Sequence, residues 1–156
     1  MATIYHQVWI NAPVAKVYDA LSTAEGISNW WDKQTAVETA TGQVLEHNPG
    51  PMHGVVKLKV LELVPDKHIE WECISTHPKT SPGSAWTGTH IRFDLYERGN
   101  VAGLSGFGQD GDRISVLDFR QIGYDEHSEY FGYNNFAWGC VLQELKKWCE
   151  SRYRRS

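Results

Sequence analysis

A chain of 156 residues is the length of one ordinary domain; folding at about 150 residues buries roughly 70% of the unfolded surface, enough for a core with room inside it. The net charge of −4 and the lack of any basic stripe argue against a nucleic-acid partner. No run is long and apolar enough for a membrane span. Cys73, Cys140 and Cys149 form no Cys-x-x-Cys pair, so with no signal peptide they read as reduced thiols of a cytoplasmic protein.

In chain order, Thr3–Ile10 alternates as a strand, with Ile4, Val8 and Ile10 on one face and Tyr5, Gln7 and Trp9 on the other. Asn11-Ala-Pro13 ends it and opens a helix whose Val14, Val17, Tyr18 and Leu21 recur at helical spacing. Ser22-Thr23 starts a second short helix running to the tryptophan pair Trp30-Trp31. Gln34–Glu46 reads as one or two strands around Thr41-Gly42, and Asn48–Gly54 as a loop. Val56, Leu58 and Val60, then Ile69, Trp71 and Cys73, alternate with charged residues on either side of Pro65-Asp66, a hairpin. A proline-bearing loop spans His77–Ser84; further strands carry Ile91, Phe93 and Leu95, then Ser115, Leu117 and Phe119. The glycine-rich Gly99–Asp112 segment between them extends the hairpin or forms a flap. From about Ser128 to Arg155 an amphipathic helix runs without proline, and its basic C-terminal end complements the helix dipole. Cys140 and Cys149 fall in this helix, where cysteines are most often small core residues.

Strand, two short helices, antiparallel strands and a long closing helix define an α+β class, with residues 1–156 as a single domain. Only the last helix is long enough to cover the sheet's apolar face, and a curved sheet wrapped around it leaves space for a ligand.

Val8-Trp-Ile-Asn-Ala-Pro13, Val17-Tyr-Asp-Ala-Leu21, Ile27-Ser-Asn-Trp-Trp31, Gly88-Thr-His-Ile-Arg-Phe93 and Ala137–Lys146 occur in this order along nearly the whole chain. In this the chain resembles the START-like, or SRPBCC, superfamily with its helix-grip fold, and within it the branch named for the activator of heat shock protein 90 ATPase. The resemblance implies a pocket for a small apolar or aromatic molecule; no cofactor is expected. It also implies that Trp31 faces the sheet as an anchor while Trp30 lies toward the pocket mouth. The Gly99–Asp112 insertion departs from commoner members at the edge of that pocket.

Aromatic residues make up 12% of the chain, including seven Trp. Tyr and Trp need a polar partner when buried, and pockets provide one. The expected ligand-binding set is Trp30, Trp71, Trp86, Phe93, Phe119, Tyr124, Phe131 and Asn135. Asn134 and Asn135 sit unusually in a helix, and either offers a carboxamide to a ligand or stays exposed. His6 shares the inward strand face and is the candidate for proton transfer, the alternative being a hydrogen-bonded core or edge histidine. His90, Glu70, Glu72 and the pair Asp118 and Arg120 read as solvent-facing. His47 and His53 flank Asn48-Pro-Gly-Pro51, but no compact acid or thiol set completes a metal site.

No nucleophile motif or phosphate loop is present. Three functions are therefore weighed: binding of a small hydrophobic or aromatic ligand, a cyclase or dehydratase using the same pocket, and a module that stimulates a chaperone ATPase. The third ranks last because a lone domain lacks the extra amino-terminal domain of such co-chaperones. An edge strand near Gln34–Glu46 offers a surface for a homodimer.

Overall fold

Period-two alternation dominates the middle of the chain, and the strands it predicts are present. The computed structural model describes residues 1–99 and 113–153; most of the Gly99–Asp112 segment lies outside the described residues. Among these, β1 (Ala2–Ile10), β2 (Thr35–Thr39), β3 (Gly42–His47), β4 (Val56–Val64), β5 (His68–Cys73), β6 (His90–Gly99) and β7 (Arg113–Tyr124) form one sheet. Its order is β1-β7-β6-β5-β4-β3-β2, antiparallel throughout. From β2 to β7 each strand pairs with the next in sequence, as short connections favour. Asp66 turns β4 into β5 with a φ of 65°, a left-handed conformation that Asp tolerates better than most residues.

The helices α1 (Val14–Ser22) and α2 (Ala24–Ile27) follow β1, and α3 (Phe131–Tyr153) closes the chain. Thr23 caps α2 through a hydrogen bond that its Oγ1 accepts from Gly26 N–H (2.9 Å). Gly26 is required there by space, because a Cβ would run into the carbonyl oxygen of Asp19 in α1. Ser128–Tyr130, expected to be helical, form a turn instead, in which Ser128 Oγ accepts from the Tyr130 N–H (3.2 Å).

The sheet is apolar on the face toward α3, where Ile4, Ile10, Leu58, Ile69, Ile91 and Leu117 meet Leu142, Leu145 and Cys149. Cys149 is a core residue as expected, but Cys140 is exposed. Trp71, Phe93, Phe119 and Trp138 form a continuous row across the middle of this interface, with successive centroids 5.0, 5.4 and 4.4 Å apart. All four are at most 2% exposed. The space expected between sheet and helix is thus packed ring against ring at its centre. Each ring removes about 150–250 Å² from water, a gross stabilisation of roughly 4–6 kcal/mol before entropy is subtracted.

Gln121, fully buried on β7, satisfies polar atoms at the Trp138 end of this row, whereas the buried Trp71 Nε1–H has no hydrogen-bond partner among the described residues. Its Oε1 accepts from Trp138 Nε1 (2.7 Å) and from the Tyr124 hydroxyl (2.8 Å), while its Nε2 donates to Thr89 Oγ1 (2.9 Å). The outer face of the sheet is polar, as expected. There His90 Nδ1 lies 3.0 Å from Glu70, while Arg120 pairs with Asp94 (3.9 Å) rather than with Asp118, which accepts from Tyr5 and Gln7.

Candidate ligand cleft

The two adjacent indoles after α2 stack on each other, with ring centroids 6.0 Å apart and planes at 18°, yet their outer faces meet different surroundings. Trp30 folds back under α1, is 6% exposed, and donates its Nε1–H to the carbonyl of Ala20 (2.7 Å). Trp31 lies on the outer side of this stack, with its ring centroid 4.6 Å from His47, 5.2 Å from Trp138 and 6.1 Å from Trp86. The expected assignment is reversed: Trp30 anchors the helix and Trp31 borders open space. A backbone carbonyl of α1 within reach of Trp30 Nε1 decides it.

The open space is a cleft of about 200 Å³ at the end of the sheet–helix interface. Trp31 and Asp32 form one side, with Pro49 and His53 from the loop after β3. His77, Ser81, Pro82, Gly83 and Trp86 contribute from the connection between β5 and β6, and Tyr133, Asn134 and Ala137 from the first turns of α3. Trp86 stacks on Trp138 (5.4 Å, 13°), so the cleft wall continues the aromatic row of the core.

Hydrogen bonds fasten the two rims together. His77 Nδ1 lies 2.7 Å from the carbonyl oxygen of His53, so it must donate, and Nε2 accepts from Ser75 Oγ (2.8 Å) in the neutral ring. His53 Nδ1 lies 2.6 Å from Ser81 Oγ, which also accepts the N–H of Gly83 (3.1 Å). Gly83 packs closely here: a Cβ would stand 3.3 Å from both the His77 ring and Ser81 Oγ. Asn134 is buried and donates Nδ2–H to the Pro82 carbonyl (3.1 Å), tying α3 to the same rim.

His47 enters the cleft from the end of β3 and is 5% exposed. Burial lowers its pKa to about 4; the nearby His77 ring acts in the same direction and Asp32 opposes it. The imidazole is therefore neutral at physiological pH. Among the described residues no three His, Cys, Asp or Glu side chains are grouped to hold a metal ion.

Of the expected ligand-binding residues, the structure brings Trp86 to this cleft. Trp71, Phe93, Phe119 and Tyr124 are fully buried core residues, and Phe131 packs edge-on against Tyr124 (5.4 Å). Asn135 is exposed; its neighbour Asn134 takes the inward position. His6 faces α3 as expected, with Nε2 3.1 Å from the Asn135 carbonyl oxygen. It borders a separate groove of about 640 Å³ between β1 and α3, with Gln7, Gln143 and Lys146, and shares no wall with Trp31 and Trp86. Tyr133, one of the rings that the sequence pattern offers from the start of the last helix, does line the cleft, whereas sequence reasoning missed His77 and gave His47 and His53 no ligand role. The loops that bring them together carry no periodicity from which proximity could be read.

A family model for Activator of Hsp90 ATPase homolog 1-like proteins matches residues 11–148. A search of curated proteins returned no significant match. Among solved structures, the chain resembles the Aha1 dimer from Colwellia psychrerythraea at 24% identity and a TM-score of 0.71, covering 96% of this chain and 97% of that one. It also resembles MLL2253 from Mesorhizobium loti (18%, TM-score 0.69, 96% and 98% covered) and CalU16 from Micromonospora echinospora (14%, TM-score 0.66, 99% and 76% covered). At these identities the solved structures speak for the fold. With the family model spanning most of the sequence, the chain belongs to the Activator of Hsp90 ATPase homolog 1-like family, a branch of the helix-grip fold.

Proposed function

We propose that the protein binds a small aromatic molecule in the cleft between Trp31, Trp86 and the start of α3. The observation that carries this reading is the wall itself: two indoles and a phenol ring around about 200 Å³, with no Lys or Arg among the lining residues. Ligand pockets are typically apolar hollows with a few fixed polar groups. A cavity of about 150 Å³ accommodates benzene, so the cleft suits one ring with a small substituent rather than a multi-ring molecule. Saturation-transfer NMR with single-ring aromatics tests it. A saturable signal that is lost in Trp31→Ala supports the assignment; no saturable signal, or one indifferent to that substitution, contradicts it.

The three imidazoles of His47, His53 and His77 favour a second reading, a cyclase- or dehydratase-type enzyme working in the same cleft. In that case turnover depends on His47 and survives His6→Ala. The Colwellia relative is described as a dimer, and β2 is an edge strand with mostly exposed residues, so pairing of two copies through β2 is also proposed. Sedimentation of wild type against Val37→Pro, which removes a strand donor, separates a β2-mediated dimer from a monomer.

A further inference from the structure

Shape selects a ring; the chemistry of the wall selects what the ring carries. Gln34 is 6% exposed, and its carboxamide orientation is set because Nε2 donates to the carbonyl of Asp32 (2.8 Å). That leaves Oε1 facing His47 Nδ1 at 3.1 Å. An amide oxygen only accepts, so Nδ1 carries the imidazole proton and Nε2 keeps a bare lone pair. No described residue hydrogen-bonds that Nε2, although Gln34 holds the ring from one side and the aromatic face of Trp31 from another. His47 lines the cleft and its Nε2 is not sealed into the core, so a donor on a bound molecule takes the place of solvent at this acceptor. The cleft wall also holds the Asp32 carboxylate and no cationic side chain, which disfavours an anionic ligand.

Resting on the assignment of this cleft as the ligand site, we infer that it recognises a neutral aromatic molecule bearing a hydrogen-bond donor, a phenolic O–H or an aryl N–H, which it gives to His47 Nε2. The recognition is set in sequence: Asp32 carbonyl orients Gln34, Gln34 fixes the tautomer of His47, and His47 reads the ligand. Gln34 is a positioning residue and His47 the group in contact.

Phenol, anisole and benzoate have similar outlines and differ in the feature at issue: donor, no donor, and anion. Titrated by NMR near neutral pH, phenol should bind roughly 5–10-fold more tightly than anisole, as one hydrogen bond allows, with benzoate weakest. In His47→Phe, anisole binding should persist and the preference for phenol vanish. Equal binding of phenol and anisole to the wild type, a preference that survives His47→Phe, or benzoate binding as tightly as phenol would overturn the inference while leaving the cleft assignment intact. If neither neutral ring binds the wild type, the cleft assignment falls and the inference with it. A long-range proton–nitrogen correlation spectrum of the wild type needs no variant. It should show the Nδ1–H tautomer for His47, with Nε2 shifting on addition of phenol but not of anisole. An Nε2–H tautomer overturns the inference outright.

Discussion

The adjacent tryptophans stack on each other but differ in burial and in what else they touch. Trp30 is 6% exposed, so Trp30→Ala removes nearly all of a side chain that buries about 150–250 Å²; at about 25 cal/mol per Å² this is roughly 4–6 kcal/mol. Measured Trp-to-Ala changes in cores run at about 3–5 kcal/mol. The same substitution also leaves the Ala20 carbonyl without the bond it accepts from Trp30 Nε1. A loss near 4 kcal/mol is therefore expected, and for a domain of this length it lowers Tm by about 8–16 °C. Trp31 is only partly buried and borders the cleft, so Trp31→Ala should lower stability by about half as much. Its larger effect should be on ligand affinity, at least tenfold for a bound ring. Thermal unfolding of both variants, paired with titration of a single-ring aromatic, measures both quantities. Equal, large losses of stability with no difference in binding would show that both indoles are ordinary core residues.

Three other outcomes follow from the same geometry. The native His47 pKa of about 4 lies below its ordinary value of 6.5, so between these values the unfolded chain holds more protons. Stability should be unaffected above about pH 7 and fall by up to about 3 kcal/mol as pH drops toward 4; urea unfolding of wild type against His47→Phe isolates this slope, which the variant should lack. Gln121→Leu strands the Trp138 and Tyr124 donors in the core and should destabilise by about 2–5 kcal/mol in denaturant titration, whereas a loss under 1 kcal/mol would mean that water or repacking satisfies them. Gly26→Ala forces α1 and α2 apart, with an expected penalty of about 1–3 kcal/mol; an unchanged Tm would show that the contact relaxes freely.

The frame of the molecule was legible because it is written in period. Ile69, Trp71 and Cys73 alternate, and all three are buried on β5; Ile91 and Phe93 do the same on β6. The order of elements, the hairpin at Pro65-Asp66 and the inward face of β1 all follow from such alternation. Alternation says which face a ring lies on, however, and not whether that face is solid or hollow. Trp71, Phe93 and Phe119 carry the same pattern whether they pack on Trp138 or line a pocket, and side-chain volume decides for packing. The cleft is built by segments without period: the 48–54 loop, the 77–86 connection and the turn after α2. Its key contacts, His77 to the His53 carbonyl and His53 to Ser81, cross 24 and 28 residues. Asn134 and Asn135 show the same limit at finer scale, since one helical step decides which carboxamide is buried, and α3 starts three residues later than its composition suggests.

Two-dimensional NMR of the protein titrated with phenol locates the bound ring with the least intervening inference. The account predicts shifts concentrated at Trp31, His47, Trp86 and Asn134, with Trp71, Phe93 and Phe119 unmoved. Shifts centred on those buried rings, or on the His6 groove between β1 and α3, would contradict it.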